Sequence, residues 1–274
     1  MDKQPTNLAR RNLLTILPAA AAFSGLAKAL EFPTRREAML KLIAVMGDLN
    51  GRQAPWWYTG YIYGLRPGEE PRKLVRFEGT EINLFTPGAG GTFSQTARTT
   101  TFFSDPESEQ ILDTWVNPYT GRTQTVKANV LGGGGRLLWS DEGLLPQFGA
   151  STLGGASSAL KPMPLSVRFV SYDRWVWVRN DRVYPPGLPQ PLGESSTTLV
   201  QLRDLQNRRL ANIPGTFSST YMAPWPMWMG MQGEAGHVIW HADGIKLRTT
   251  DDLPAAFLDR VRRLHPKQLI VTPV

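Results

Sequence analysis

Apolar residues recur at helical spacing in two segments, one near each end of the region that begins at residue 30. Thr34 and Glu37 before the first segment have the spacing of a capping box, and Gly47 ends it. Pro254 before the second segment suits the first turn of a helix. The two apolar stripes are Met39, Leu40, Ile43 and Met46, and Phe257, Leu258, Val261 and Leu264. This pattern predicts an N-terminal and a C-terminal helix.

Between these helices the chain consists of short aromatic and β-branched runs that Gly, Pro, Asn and Asp separate. Such runs indicate antiparallel strands joined by turns, and a sheet of about ten strands usually closes or doubles. We therefore predict a mainly β fold, an antiparallel β-barrel or strongly curled, lipocalin-like sheet with N- and C-terminal helices; a two-sheet β-sandwich is the alternative. The predicted strands are 56–63, 73–85, 92–103, 111–116, 123–130, 136–139, 165–171, 174–179, 217–222, 227–230, 236–241 and 244–248.

Three stretches show neither the helical nor the strand pattern of apolar residues, and they are predicted to be loops, namely 132–135, 149–164 and 184–193. The first consists of four glycines, and no Lys-Ser/Thr pair follows it, so it is not a phosphate-binding P-loop. The third contains too many prolines for a regular element. Because the strands on its two sides have similar composition, we interpret it as a lid or crossover within one domain.

The first 29 residues have the features of an export signal. Arg10 and Arg11 precede a moderately apolar, Ala-rich run, and Ala27-Lys28-Ala29 has the form of a cleavage site. The run is too short for a membrane span, which needs about 20 apolar residues. We predict a cleaved twin-arginine-type signal in 1–29, a single β-rich domain in 30–274, and a periplasmic or extracellular location reached through the twin-arginine export machinery, with no permanent membrane span.

Charge and cysteine content exclude several classes of function. The chain has a formal net charge of +7, four of its basic residues lie in the first 29, and the others are scattered. Nucleic-acid binding is therefore disfavoured. The absence of cysteine excludes disulfides, thiolate metal sites and cysteine nucleophiles.

A β-hairpin is predicted at residues 113–121, where Asp113, Trp115 and Asn117 alternate on one face and Gly121 can take positive φ in the turn. This stretch, the run 56–64 and Ala223-Pro224-Trp225-Pro226 resemble motifs of the bacterial and fungal family called domain of unknown function 1838. The resemblance implies one domain over nearly the whole mature chain, and it transfers no catalytic residue.

Tryptophan, tyrosine and methionine are the candidates for a ligand pocket, because pockets are mostly apolar with a few polar groups. In the run 56–63, alternation separates Trp57, Tyr61 and Tyr63 from Trp56 and Tyr58. In 173–179, one face of the predicted strand combines tryptophan with charged residues and the opposite face consists of valine. This pattern is expected for a barrel wall that has the core on one side and a cavity on the other. The predicted ligand-binding residues are Trp57, Tyr61, Tyr63, Trp115, Trp175, Trp177, Trp225, Met227, Trp228 and Met229, with the alternate residues of 225–231 on one extended face.

His237 and His241 are the pair of titratable residues that we consider first as a metal site or as catalytic groups. The residues between them favour a strand, Asp243-Gly244 has the composition of a hairpin turn, and two residues four apart on a strand lie about 13 Å apart. We therefore predict no metal site and no cofactor. The predicted catalytic residues are His241, His237, Asp113 and Asp173, acting as acids or bases beside aromatic rings, and Tyr58, Tyr61 and Tyr63 are candidate oxyanion donors.

Two functions fit these residues. The first is an exported, cofactor-independent lyase, hydratase or isomerase acting on an aromatic or terpenoid-like small molecule. The alternative is a periplasmic protein that binds a similar hydrophobic ligand without chemistry. A histidine and a carboxylate that converge at the pocket would favour the enzyme.

Overall fold

The computed structural model describes residues 27–148, 163–164, 166–183 and 193–273, and these residues are mainly β-structure. The described strands are β1 (Lys28–Ala29), β2 (Gln53–Leu65), β3 (Arg72–Pro87), β4 (Phe93–Ser104), β5 (Thr114–Val116), β6 (Thr123–Thr125), β7 (Asn129–Ser140), β8 (Gly143–Phe148), β9 (Ser166–Tyr172), β10 (Trp175–Val183), β11 (Gly193–Gln201), β12 (Thr216–Ala223) and β13 (His237–Lys246). The α-helices are α1 (Arg35–Met46), α2 (Leu202–Gln206) and α3 (Ala255–Leu264). Residues 1–26 of the export signal predicted for 1–29 lie outside the described residues, as do most of the predicted loops at 149–164 and 184–193. The last two residues of that predicted signal form β1, so the predicted cleavage after Ala29 would remove this edge strand.

Eleven of these strands form one antiparallel sheet, in the order β1-β9-β10-β11-β12-β13-β2-β3-β4-β7-β8. The pairing of β13 with β2 joins the two halves of the chain within this sheet. In the described part of the chain no ladder joins the edge strands β1 and β8, and a single bridge, Leu144 to Met163, links β8 to the residues before β9. The predicted antiparallel β class is confirmed, and the described sheet is not closed into a barrel.

The sheet curves around α1. Trp139 of β7 and Phe169 of β9 lie near opposite edges of the sheet, yet both are buried in one apolar cluster with Ile43 of α1. The buried residues of α1 are Met39, Leu42, Ile43, Ala44 and Val45. They cover a larger part of the helix circumference than the predicted apolar stripe does. A helix that is apolar on most of its surface is one that other elements enclose.

Both ends of α1 are set by local hydrogen bonds. The Thr34 hydroxyl accepts from the backbone N–H of Glu37 at 3.1 Å, as the capping-box spacing predicts. The N–H of Gly47 donates to the Ile43 carbonyl at 2.7 Å and ends the helix. The predicted N-terminal helix is thus confirmed at both ends.

The carbonyl groups at the C-terminus of α1 are satisfied by side chains from the sheet. Lys246 is only 6% exposed, and its Nζ, which has at most three N–H groups, lies within hydrogen-bond distance of the carbonyls of Ala44 (2.9 Å), Val45 (2.9 Å), Gly47 (2.6 Å) and Ile213 (3.2 Å). The Trp56 indole N–H donates to the Met46 carbonyl at 2.9 Å. The last carbonyls of a helix have no partner within it, and the negative end of the helix dipole favours a cation. β13 and β2 therefore fix α1 against the concave face.

At the other end of the concave face, the hairpin of β5 and β6 packs on residues 225–231. Asn117 is fully buried; its amide donates to the Met229 carbonyl at 2.9 Å, and its oxygen accepts from the Tyr119 N–H at 2.8 Å. Gly121 has φ of +69°, as the predicted turn requires. The hairpin at 113–121 is confirmed.

α3 packs on the convex face of the sheet. Phe257 and Leu258 share an apolar cluster with Phe102 of β4 and Trp57 of β2. The predicted C-terminal helix is confirmed, but its apolar stripe ends one turn early, because Leu264 is 52% exposed.

Three local predictions about strands are wrong. Residues 132–135 lie within β7 rather than in a loop, where the pairing with β4 shifts register between Thr96 and Arg98. Gly193 begins β11, whose Ser- and Thr-rich sequence was not predicted as a strand. Residues 227–229 form a 3-10 turn that Gly230 ends with φ of +66°, so 225–231 is not one extended face.

The predicted hairpin turn at Asp243-Gly244 is also wrong, because both residues lie within the continuous strand β13. A Cβ atom at position 244 would lie 2.3 Å from the ring of Phe217 on β12. Gly244 is therefore needed to make room for this ring rather than to turn the chain.

We predict that Lys246→Met lowers the free energy of unfolding by roughly 2–4 kcal/mol, because it leaves several buried carbonyls without a donor. Urea unfolding followed by tryptophan fluorescence measures the change. Lys267→Met, at an exposed position, is the matched control and should stay within about 0.5 kcal/mol of the wild type. Equal stability of the two variants would contradict the role of Lys246.

Burial lowers the pKa of Lys246 to about 7, and the negative charge of Asp48 only partly offsets this effect. A lysine in the unfolded chain has a pKa of about 10.4, so between pH 7 and about 10.4 unfolding takes up a proton. The unfolding free energy of the wild type, relative to Lys246→Met, should therefore increase with pH in this window, by at most about 1.4 kcal/mol per pH unit. A difference between the two proteins that is independent of pH from 6 to 9 would contradict this prediction.

Candidate functional site

A cavity of about 440 Å³ lies on the concave face, between α1 and the end that the β5–β6 hairpin covers. This volume is within the usual range for small-molecule sites. Side chains from β7 and from β10 both line it, which requires the sheet to curve around it. Its central surface is aromatic and is formed by Trp56, Tyr58, Phe77, Phe217 and Trp240 of the adjacent strands β2, β3, β12 and β13.

Polar side chains line the two walls beside this aromatic surface. One wall belongs to β3, β4 and β7 and the other to β10, β11 and β12; their polar residues are Glu81, Asn83, Thr99, Thr101 and Asn129, and Asn180, Glu194, Ser196, Thr198 and Ser219. Among the described lining residues there are two carboxylates and neither a basic residue nor a histidine. The arrangement suits a ligand with an apolar body and hydrogen-bonding groups at its edges.

A chain of buried side-chain amides holds the Glu81 carboxylate. The Trp139 indole N–H donates to the Gln95 amide oxygen at 2.8 Å, and the Gln95 amide donates to Asn83 at 2.6 Å. The Asn83 amide then donates to Glu81 Oε1 at 2.8 Å. Trp139, Gln95 and Asn83 are all at most 5% exposed, so the rotamers of this chain are fixed by the core.

Gly79 leaves room for the ring of Tyr58, which lines the same cavity as Glu81. A Cβ atom at position 79 would lie 2.4 Å from Tyr58 Cε2 and 2.7 Å from its hydroxyl. The Tyr58 ring therefore crosses β3, and its hydroxyl lies 2.9 Å from the hydroxyl of Thr101 on β4. Gly79 and Glu81 are two residues apart on one strand, or about 7 Å. The phenol and the carboxylate thus line the same part of the cavity.

Burial raises the pKa of the Tyr58 phenol above its ordinary value, the hydrogen bond with Thr101 lowers it, and the nearby Glu81 carboxylate raises it. The phenol therefore stays protonated at neutral pH and can donate a hydrogen bond. A carboxylate and a protonated phenol that line one cavity can accept a proton from a bound molecule and donate a hydrogen bond to an oxygen of it.

The predicted catalytic histidines do not line this cavity. His237 and His241 are on the face of β13 opposite Trp240, because side chains alternate along a strand. His241 is exposed, and its Nδ1 lies 3.2 Å from the Thr220 hydroxyl. The structure therefore brings neither histidine to a carboxylate of the cavity.

The predicted catalytic aspartates are also outside the cavity. Asp113 is exposed, and its backbone carbonyl accepts from the N–H of Val126 in the hairpin. Asp173 is exposed in the turn between β9 and β10, with φ of +52°. Aspartate tolerates this left-handed conformation better than most residues, so a turn accounts for its presence there.

The sequence correctly predicts which residues share a face of β2 and of β10. It does not predict which of the two faces is concave. Trp56 and Tyr58 face the cavity, whereas Trp57, Tyr61 and Tyr63 are on the other face of the sheet. The Trp57 indole donates to Glu78 at 2.9 Å beneath α3. In β10 the valine face points inward, with Val178 lining the cavity, while Trp175 and Trp177 are on the outer face.

The remaining predicted ligand-binding residues belong to the end that the hairpin covers. Trp115, Trp225 and Met229 are buried in one apolar cluster, and Trp228 packs against Trp115 with ring centroids 5.5 Å apart. Met227 is 85% exposed. None of these residues lines the cavity as described.

Glu81 and Asn83 are the site residues that the sequence interpretation missed. They interrupt the apolar inward face of β3 between Phe77 and Phe85. Such a polar pair on an otherwise apolar face is the signal that would have indicated them, since buried polar groups need specific partners.

Neither a metal cluster nor a membrane-spanning helix occurs among the described residues. In the described residues, no group of three or more His, Asp or Glu side chains is arranged to hold a metal ion. No helix in the same part of the chain combines the length and the apolar character that crossing a membrane requires.

Comparison with known proteins gives a family and no closer relative. Neither a curated protein nor a solved structure matches the chain. The sequence model of one family, described as "Protein of unknown function (DUF1838)", matches residues 51–130 and 193–269. The first matched region includes Tyr58, Gly79 and Glu81, and the second includes Phe217 and Lys246. The chain belongs to the DUF1838 family.

Proposed function

We propose that this protein is a cofactor-independent acid–base enzyme, of the lyase, hydratase or isomerase type, acting on an aromatic or terpenoid-like small molecule. The observation that carries the proposal is one cavity with an aromatic surface that is lined by both a carboxylate bonded to a buried amide and a protonated phenol. Positioned acids and bases of this kind typically accelerate reactions by about 10²–10⁴. Glu81 accepts the proton, and Tyr58 donates to an oxygen of the substrate.

The aromatic surface supports the choice of substrate. Planar or polycyclic molecules bury much apolar area against rings such as those of Trp56 and Phe217, and hydrophobic burial is the main favourable term in such binding. The cavity of about 440 Å³ suits a molecule of one to a few rings.

A binding protein without chemistry is the second candidate. It is favoured by the absence of histidine from the described lining residues, since histidine is the most frequent general base. The two candidates differ in what Glu81 does: the enzyme needs its proton affinity, whereas a binding protein needs at most its hydrogen bonds.

We expect Glu81→Gln to keep ligand binding and to lose turnover by about 10²–10⁴, because the amide preserves shape but is not a base. The mature protein is incubated with extracts of aromatic and isoprenoid metabolites, and tryptophan fluorescence and product masses are followed. His241→Ala, on the outer face, is the matched control and should behave as the wild type. Saturable quenching without turnover in the wild type would favour the binding protein, and turnover by Glu81→Gln at the wild-type rate would contradict the role of Glu81.

We also propose that the protein works outside the cytoplasm, after export by the twin-arginine machinery. Arg10, Arg11 and the Ala27-Lys28-Ala29 site support this location. Replacing both arginines by lysine should retain the full-length chain in the cytoplasm, as cell fractionation and the mass of the product would report. Export of the lysine variant at the normal level would contradict the proposal.

A further inference from the structure

We infer that the substrate is a carbonyl compound with a removable proton on a neighbouring carbon, which Glu81 takes while Tyr58 holds the carbonyl oxygen. The inference rests on the proposed function and names its substrate class. It is carried by the direction of the amide chain that reaches Glu81 and by the Tyr58 side chain, which lines the same cavity.

The direction of the amide chain is fixed by its first member. The indole N–H of Trp139 can only donate, so the Gln95 group 2.8 Å away must be its oxygen. The amide nitrogen of Gln95 must then donate to the oxygen of Asn83, which leaves the Asn83 nitrogen to donate to Glu81. Reversing Gln95 would leave the buried indole N–H unpaired. Reversing Asn83 would place its NH₂ group against that of Gln95 and its oxygen against the Glu81 carboxylate. The chain therefore presents an N–H group to Glu81, and an N–H group favours the carboxylate over the carboxylic acid.

Glu81 is thus suited to accept a proton rather than to donate one at the start of a reaction. Tyr58 has the opposite character, since burial raises the pKa of its phenol, which therefore stays protonated. A base beside a neutral hydrogen-bond donor is the arrangement that removes a proton next to a carbonyl, because negative charge develops on the oxygen as the carbon loses its proton. The aromatic surface formed by Trp56, Phe217 and their neighbours would hold the apolar part of such a molecule.

The step balances without a co-reactant. Glu81 takes the proton of the carbon next to the carbonyl, and the C–H electron pair forms a carbon–carbon double bond while the carbonyl π pair moves to oxygen. Tyr58 donates a hydrogen bond to the resulting enolate oxygen. In an isomerisation, the enolate re-forms the carbonyl as Glu81 returns the same proton to another carbon of the conjugated system. In an elimination, the enolate re-forms the carbonyl, its carbon–carbon π pair moves to the bond with the β-carbon, and the group on the β-carbon departs with its bonding pair and takes the proton from Glu81.

Exchange of carbon-bound protons in D₂O tests the inference before the natural substrate is known. The probe is 2-tetralone, an aromatic ketone with acidic protons next to the carbonyl, and ¹H NMR follows their loss. We expect exchange with the wild-type protein to be at least about 10²-fold faster than with Glu81→Gln, and Tyr58→Phe to be slower than the wild type by about 10²-fold or more. His241→Ala is the matched control and should exchange at the wild-type rate.

Binding of 2-naphthol, whose hydroxyl resembles the enolate oxygen, separates the two possible failures. Wild-type protein that binds 2-naphthol but exchanges 2-tetralone no faster than Glu81→Gln would overturn the carbonyl class and leave the proposed cavity function standing. Protein that binds neither compound would overturn both. The inference is supported if Tyr58→Phe binds 2-naphthol about tenfold more weakly than the wild type does and the wild type exchanges the protons of 2-tetralone.

Asn83→Asp tests the amide chain itself. Aspartate has the shape of asparagine and can still accept from Gln95, but it presents an oxygen instead of an N–H group to Glu81. Repulsion between the two carboxylates should move the acid limb of the pH–rate profile for exchange to higher pH. If Asn83→Asp lowers the rate equally at every pH, or leaves the profile unchanged, the amide chain does not control the protonation of Glu81.

Discussion

The ammonium of Lys246 at the C-terminus of α1 is the contact on which the rest of the structure depends. Its hydrogen bonds, together with the Trp56 indole, satisfy the carbonyls that end the helix. A helix end buried without such partners would leave several polar groups unpaired, each at a cost of about 1–3 kcal/mol. Because Leu42 and Met46 of α1 line the cavity, the same contact also fixes one boundary of the site.

Small residues at two positions let aromatic rings form the surface of the cavity. Gly244 makes room for Phe217, and Gly79 makes room for Tyr58. The second of these places the phenol in the cavity that Glu81 also lines, and Glu81 accepts a hydrogen bond from the buried Asn83. The site is therefore built on strands rather than loops, and its polar groups are held by a packed core, which is the arrangement that preorganised catalysis requires.

The sequence predicts those features that depend on neighbours along the chain. The ends of α1 follow from Thr34 and Gly47, the hairpin from Gly121, and the alternation of β2 and β10 from their aromatic and β-branched residues. What it cannot supply is the side of the sheet that becomes concave, since this depends on where α1 and α3 pack. For that reason Tyr61 and Trp177 lie outside the cavity while Trp56 and Val178 line it. Glu81 is joined to Trp139 through contacts between three strands, and no local pattern encodes such a chain.

A crystal structure of the protein with 2-naphthol bound would show whether Glu81 and Tyr58 on the concave face hold the reacting molecule, as we propose. We expect the rings to lie against the aromatic surface, with the naphthol oxygen within hydrogen-bond distance of the Tyr58 hydroxyl and a ring edge beside the Glu81 carboxylate. Naphthol bound at the outer face near His241, or in the cavity with its oxygen directed away from Tyr58, would contradict it.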